Sequence, residues 1–114
     1  MDAEALAELL GSYRFSYANE IELQDGIGAV LDLAGVPHAR EVDLGRAGRI
    51  DFVVGHGLGV EVKIKGAAAD VDRQLRRYLD ADGIDEVMLV TTRRQQAVAV
   101  AADAIDGIRV VVLR

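Results

Sequence analysis

The chain has 114 residues, no cysteine and a formal net charge of −6 at pH 7. This length suits one hydrophobic core, so we expect a single domain over residues 1–114. Without cysteine there is no disulfide or thiolate metal site, and the acidic balance argues against non-specific coating of nucleic acid. The first residues form an acidic amphipathic pattern and no long apolar run follows, so we expect a soluble cytoplasmic protein without membrane contact.

Two helices are predicted before the first strand. Asp2 to Leu10 has leucines at helical spacing behind a capping aspartate, and Asn19 to Ala34 repeats apolar residues at i, i+4, i+7, i+8 and i+11. Glu20 lies on the apolar stripe of the second helix, where a carboxylate is costly unless it is paired, binds metal or faces a cleft. A carboxylate in the first turn also interacts favourably with the helix dipole, so two explanations of Glu20 stay open.

A β-hairpin is predicted at the centre of the chain, after a first strand at Arg40 to Leu44. Between Arg49 and Lys65, two alternating runs flank the glycine-rich sequence Gly-His-Gly-Leu-Gly. Folding this stretch symmetrically about Gly57 places apolar side chains on one face and charged side chains on the other. The predicted pairs are Val54–Val60, Phe52–Val62 and Ile50–Ile64 on the apolar face, and Asp51–Lys63 and Val53–Glu61 on the other face.

Asp51, Glu61 and Lys63 share the charged face of this hairpin. Two carboxylates a few ångströms apart repel each other unless positive charge lies between them, and a hard divalent cation such as Mg²⁺ suits that place. A lysine beside such a cation would hold or deprotonate a water molecule, or neutralise developing charge. The alternative is an ordinary solvent-facing strand, because an aspartate with Glu-x-Lys on the next strand often occurs by chance.

The second half of the chain alternates helices with strands. The predicted elements are a helix at Ala69 to Ala81 capped by Asp70, a strand at Glu86 to Thr91, a helix at Arg93 to Ala104 and a strand at Ile108 to Leu113. The whole order, α-α-β-β-β-α-β-α-β, indicates an α/β fold with a mixed sheet and helices on both faces. A local group of basic residues, which serves either phosphate contact or a solvated surface, consists of Lys65, Arg73, Arg76 and Arg77.

Several of these features together resemble the PD-(D/E)XK nuclease superfamily, which has the restriction-endonuclease-like fold. The matching features are a helix with Glu20, a strand with Asp51, a strand with Glu61-Val62-Lys63 and a helix with Gln74 and Tyr78. They cover roughly Glu20 to Thr91 and follow the α-β-β-β-α-β core of the superfamily. Ile50 stands where the motif name has proline, a position that varies widely. The Gln74 and Tyr78 pair resembles the Gln-x-x-x-Tyr signature of bacterial recombination nucleases and related phage enzymes.

The resemblance implies a metal site on the central hairpin. Asp51, Glu61 and the carbonyl of Val62 would bind Mg²⁺ or Mn²⁺, and Glu20 would reach the metal directly or through water. Such a site meets the needs of phosphodiester cleavage, which are a positioned water, a cation on the leaving oxygen and neutralised charge on the phosphate.

The resemblance also implies roles for the neighbouring polar residues. Lys63 would orient or deprotonate the attacking water. Gln74 would help to position the metal, the water or the scissile phosphate, whereas Tyr78 is expected to be packed rather than catalytic. The residues expected to contact the DNA backbone are Lys65, Arg73, Arg76 and Arg77.

Three functions are compatible with the sequence. The first is a metal-dependent DNA endonuclease that acts as a homodimer and selects branched DNA by its shape, as a Holliday-junction resolvase or a phage recombination nuclease does. The second is a catalytically silent nuclease-like module that binds DNA or protein, against which the intact Asp51, Glu61 and Lys63 argue. The third is a structural or interaction domain in which the motif arose by chance.

Overall fold

A five-stranded mixed sheet forms the centre of the fold in the computed structural model, which describes residues 1–102 and 105–113. The helices are α1 (Ala3–Gly11), α2 (Glu20–Leu33), α3 (Ala68–Leu79) and α4 (Arg94–Ala102). The strands are β1 (His38–Asp43), β2 (Arg49–Val54), β3 (Leu58–Lys63), β4 (Glu86–Thr91) and β5 (Ile108–Val112), with a 3-10 turn at Gly45–Ala47. The predicted end of the fourth helix, at residues 103 and 104, lies outside the described residues.

The strands lie in the order β1-β2-β3-β4-β5, with antiparallel pairing up to β3 and parallel pairing from β3 to β5. Two hydrophobic clusters cover the two faces of this sheet. The first cluster contains residues of α1 and α2, and the second contains residues of α3 and α4. On β4, Met88 and Val90 belong to the first cluster whereas Val87 and Leu89 belong to the second, because successive side chains of a strand point to opposite faces. The predicted α/β fold, a mixed sheet with helices on both faces, is therefore confirmed.

Side-chain caps define where the first two helices begin. Asp2 caps α1 by accepting a hydrogen bond from the Ala5 N–H at 2.8 Å, and Asn19 caps α2 by accepting one from the Glu22 N–H at 2.9 Å. The prediction that Asp70 caps α3 is wrong, because the helix already begins at Ala68, after Ala67. Asp70 lies in the first helical turn, where its charge still interacts favourably with the helix dipole.

The hairpin register differs from the predicted one by two residues. Phe52 pairs with Val60 and Val54 with Leu58, so the hairpin is centred on His56 rather than on Gly57. The turn is shorter than predicted because Leu58 joins the strand and packs in the first cluster instead of remaining in the connection. Since side chains alternate with a period of two, a two-residue shift leaves each β3 residue on its predicted face.

Ile50 was predicted to share a face with Phe52, and this prediction is wrong. Phe52 packs in the first cluster, whereas Ile50 packs in the second together with Val42, its partner on β1. On β1, Glu41 lies between Val42 and Arg40, the partner of Phe52. Its φ of 52° breaks the alternation of side chains on that strand. Such a left-handed backbone angle is rare outside glycine and redirects the strand. Gly59 makes room for the change, because a Cβ added there would lie 2.6 Å from the Ile50 Cδ1 atom.

We expect Gly59→Ala to lower the free energy of unfolding by about 1–3 kcal/mol, because a methyl group would collide with a side chain that is fully buried. Urea unfolding measures this change. The matched control is Gly11→Ala at the end of α1, where an added Cβ meets nothing within 4 Å. Equal stability of the two variants would contradict the placement of Ile50 against Gly59.

Candidate functional site

Asp51 and Glu61 lie side by side on β2 and β3. The backbone N–H of Asp51 donates to Glu61 Oε1 at 3.2 Å, and the N–H of Val62 donates to Asp51 Oδ2 at 2.7 Å. The two carboxyl groups are close enough for each to shift the pKa of the other. The register shift explains this contact, because it brings Asp51 to Glu61 instead of to its predicted partner Lys63.

Burial raises the pKa of both carboxyl groups. Glu61 is only 3% exposed, and its pKa rises to about 8, first through desolvation and then through the charge of Asp51. Desolvation also raises the pKa of Asp51, against the lowering effect of the hydrogen bond from the Val62 N–H. With a pKa of about 8, Glu61 keeps its proton at neutral pH when no cation is bound, so the site does not hold two adjacent negative charges.

Lys63 and Tyr78 face the second oxygen of Glu61. The Lys63 Nζ atom lies 3.7 Å from Glu61 Oε2, and the lysine charge lowers the pKa of Glu61 against the effect of burial. The Tyr78 hydroxyl donates to the Arg49 carbonyl at 2.8 Å and lies 3.4 Å from the same Glu61 oxygen. Tyr78 is fully buried in the second cluster, so the expectation that it is packed is confirmed, and burial raises the pKa of its hydroxyl well above the usual range.

Gln74 is connected to the site by a hydrogen bond to Tyr78. Its Nε2 atom donates to the Tyr78 hydroxyl at 2.7 Å, one helical turn along α3. This bond leaves the hydroxyl hydrogen free to point at the Arg49 carbonyl, and it fixes the tyrosine ring beside Glu61. Gln74 therefore orients a neighbour of Glu61 rather than contacting the carboxylate pair itself.

Glu20 approaches the same site from α2. Its Oε1 atom accepts a hydrogen bond at 2.9 Å from the backbone N–H of Ile64, the first residue after β3. Its charge contributes to the raised pKa of Asp51, so it faces the carboxylate pair. Glu20 is thus partly buried and paired with the end of β3, and it also lies in the first turn of its helix, where the dipole favours a carboxylate.

The donors at this site are hard oxygen atoms, which suit Mg²⁺ or Mn²⁺. Glu20, Asp51 and Glu61 each use one carboxylate oxygen to accept a backbone N–H, which leaves a second oxygen for another partner. Within residues 1–102 and 105–113, no three or more histidine, cysteine, aspartate and glutamate side chains are arranged to hold a metal ion. The Asp51 and Glu61 pair supplies two carboxylates, and Mg²⁺ commonly binds through one or two carboxylates and several waters.

The predicted basic residues differ in their surroundings. Lys65 is exposed just after β3, and Arg73 and Arg77 are exposed one helical turn apart on α3. Arg73 pairs with Asp70, and the Arg76 Nε atom bonds to Asp72 Oδ2 at 2.9 Å. Surface ion pairs contribute little stability, so the exposed arginines are available for an anion, whereas Arg76 is half-buried in its contact with Asp72.

The sequence analysis did not predict the burial of three polar residues, namely Gln24, Thr91 and Gln96. Gln24 accepts a hydrogen bond from Arg40. Thr91 and Gln96 hydrogen-bond to each other beside the end of β3. The sequence carried one signal for Gln96, because it lies one helical turn before Val100 and so shares the inner face of α4.

Comparison of the chain with protein-family models, with curated proteins and with solved structures finds no match. No helix within the described ranges combines the length and apolar character that a membrane crossing requires. The chemistry of the site therefore has to be inferred from the arrangement of its own residues.

When no divalent cation is present, we expect the free energy of unfolding to fall as the pH rises from about 4.5 to about 8. The unfolded chain loses the Glu61 proton near its ordinary pKa of 4.5, whereas the folded protein keeps it up to about pH 8. Between these two pH values unfolding therefore releases a proton, so a rise in pH favours unfolding, and above about pH 8 the effect levels off. Urea unfolding in a chelating buffer over a pH series measures the effect.

Glu61→Gln should make this fall smaller, since an amide cannot lose the proton. The matched control is Glu8→Gln on the exposed part of α1, which should keep the wild-type dependence. A wild-type stability that rises through this pH window would contradict the buried carboxylate pair.

Proposed function

We propose that the protein is a metal-dependent endonuclease of the PD-(D/E)XK type that hydrolyses phosphodiester bonds in DNA. The observation that carries the proposal is the convergence of Asp51, Glu61 and Lys63 on one spot, where burial raises the pKa of both carboxyl groups. The run of elements from α2 to β4, which is α-β-β-β-α-β apart from one 3-10 turn, also supports it.

The residues present fit a divalent cation at the carboxylate pair. A bound cation would displace the Glu61 proton and offset the negative charges that add to the effect of burial on both pKa values, that of Asp51 on Glu61 and that of Glu20 on Asp51. Asp51 and Glu61 would hold it, with the Val62 carbonyl as a third ligand and Glu20 as a direct or water-mediated one. When bound, Mg²⁺ or Mn²⁺ supplies charge neutralisation and lowers the pKa of a coordinated water.

In the proposed mechanism, Lys63 acts on the reacting groups. Its amine is only partly exposed and lies next to the carboxylate pair without being a ligand for a cation. In this role it donates hydrogen bonds to the attacking water or to a phosphate oxygen, where negative charge develops. The buried carboxylate of Glu61 fixes the amine near this position through their 3.7 Å contact.

Gln74 and Tyr78 act as positioning residues for Glu61. The tyrosine hydroxyl is held between the Gln74 amide and the Arg49 carbonyl, and its ring closes the inner side of the site. Since the ring is fully buried, it excludes water from the protein side of Glu61. The carboxylate thus keeps one orientation in a dry environment, in which charges interact more strongly.

The proposed substrate is DNA, with branched DNA such as a four-way junction as the preferred form. The net charge of −6 confines backbone contact to a local basic surface, for which we propose Lys65, Arg73, Arg76 and Arg77. Recognition of DNA shape rather than of base sequence is the proposed basis of the preference for branched DNA. A homodimer would place one such site on each of two strands.

One observation favours a second function, a nuclease-like module that binds DNA or protein without cutting it. As they stand, the described residues do not bring three acidic or histidine side chains together as a metal site. A protein that lacks the cation would keep the proton on Glu61 at neutral pH. Calorimetric titration with Mn²⁺ separates the two functions, because the silent module would show no binding that depends on Asp51.

We expect Lys63→Ala to lower the cleavage rate by about a hundredfold or more while leaving Mn²⁺ binding intact or slightly tighter. The ammonium group is not a ligand and repels a cation at short range. The measurement is nicking of labelled single-stranded, duplex, flap and four-way-junction DNA with Mn²⁺, together with calorimetry. Asp51→Ala should abolish both binding and cleavage because it removes a ligand.

The matched control is Lys65→Ala, since Lys63 and Lys65 are the only lysines in the chain. Loss of Lys65 should raise the KM for DNA and leave kcat nearly unchanged. Wild-type cleavage by the Lys63→Ala protein would show that Glu61-Val62-Lys63 arose by chance, and the non-enzymatic function would then be preferred.

The basic surface predicts a change in the salt dependence of DNA binding. Replacing Arg73 and Arg77 together by alanine should weaken binding and make the slope of log K against log salt shallower by about two, because fewer counterions are released. Arg109→Ala is the control, since Arg109 lies on β5 and pairs with Glu86. A slope that does not change would mean that DNA binds elsewhere.

A further inference from the structure

The three residues that follow the proposed catalytic lysine are hydrogen-bonded by side chains from both faces of the sheet. We call Ile64–Gly66 the exit segment, since the chain leaves β3 through it on the way to α3. Glu20 of α2 accepts a hydrogen bond from the Ile64 N–H at 2.9 Å. From α4 on the opposite face, the Gln96 amide donates to the carbonyl oxygens of Lys65 at 3.4 Å and of Gly66 at 3.1 Å.

Gln96 is itself held in place by Thr91. Its side chain is 5% exposed and its Oε1 atom accepts a hydrogen bond from the Thr91 hydroxyl at 2.9 Å. That hydroxyl in turn accepts the Arg93 N–H at 3.1 Å, where the chain turns from β4 towards α4. Both ends of the buried amide are therefore satisfied, and its orientation is set by bonds on each side.

The position of this network connects it to Lys63. Thr91 is the Cα partner of Lys63 in the parallel ladder between β3 and β4, so the network lies directly beside the lysine backbone. The exit segment begins at the next residue, and Gly66 has φ 106°, which an L side chain rarely adopts. Loss of the Gln96 contacts would release the carbonyl groups of Lys65 and Gly66 from α4 and would allow the strand end to fray back towards Lys63.

We propose that Gln96 is a positioning residue for cleavage, which holds the exit segment and thereby keeps the Lys63 amine beside Glu61. The proposal rests on the proposed nuclease function of the same site. The contact that it preserves is the 3.7 Å approach of Lys63 Nζ to Glu61 Oε2. Displacement of a catalytic group by about 1 Å can cost about a hundredfold in rate, so a residue that touches neither substrate nor metal has a measurable effect on kcat.

The first test is Gln96→Met, which keeps the length of the side chain and removes both of its polar contacts. We expect kcat for cleavage to fall about tenfold to a hundredfold, with little change in the KM for DNA or in Mn²⁺ binding. The matched control is Gln24→Met, because Gln24 is equally buried at 6% exposure and bonds to Arg40, away from the exit segment. An equal loss of kcat in both variants, or no loss in Gln96→Met, would overturn the proposal.

The second test is Gln96→Glu, which replaces the donor that faces the two carbonyl groups with an acid. The protonated acid donates one hydrogen bond to the exit segment, whereas the ionised acid repels both carbonyl oxygens. Its cleavage rate relative to wild type at the same pH should therefore rise as the pH falls. A purely structural loss gives a pH-independent ratio, and that result would count against the positioning role.

Hydrogen exchange of backbone amides tests whether Gln96 holds the exit segment, without reference to activity. In Gln96→Met, exchange should become faster from Ile64 to Ala67 while the amides of β4 keep their protection. If the wild-type protein cuts no member of the DNA panel, the proposed function fails, and this measurement alone decides the role of Gln96. Faster exchange confined to that stretch would support the proposal that Gln96 holds the exit segment, and unchanged exchange would overturn it.

Discussion

Two carboxyl groups inside one sheet are the constraint on which the rest of this site depends. Burying a single ion costs several kcal/mol after relaxation, and a second like charge beside it adds repulsion. Glu61 lowers this cost by keeping its proton at neutral pH, and both side chains accept a backbone N–H from the neighbouring strand. Lys63 adds a compensating charge at 3.7 Å, and the Tyr78 hydroxyl closes the inner side. The surroundings of the pair thus follow from its electrostatics.

The same constraint links the helices to the end of β3. A buried polar group that lacks a partner is costly, so the polar groups at this strand end are met by side chains from three helices, Glu20 of α2, Tyr78 of α3 and Gln96 of α4. Each contact joins residues distant in the sequence, and together they fix the strand end from both faces of the sheet. The proposed chemistry uses this rigidity, because Lys63 lies within the stretch from Glu61 to Gly66 that these three side chains contact.

Much of the architecture and the core of the candidate site could be predicted from local rules. Helix caps at Asp2 and Asn19 follow from side chains that reach their own first turn. The predicted grouping of Asp51 with Glu61 is correct although the predicted register is wrong. A shift by two residues keeps each side chain of the shifted strand on the same face. Hydrophobic alternation and caps act over a few residues, so these features do not depend on how distant parts of the chain pack.

The amino-acid sequence by itself determined the strands and helices, the face of each β3 side chain and the presence of two carboxylates beside a lysine. Only the tertiary structure decided that Ile50 crosses to the second cluster, since this requires the space at Gly59 and the backbone of Glu41. It also decided the role of Gln96, which meets the exit segment across 30 and 31 positions of the chain. Contacts of this kind depend on which surfaces meet when the sheet is assembled, and no periodicity within either segment encodes them.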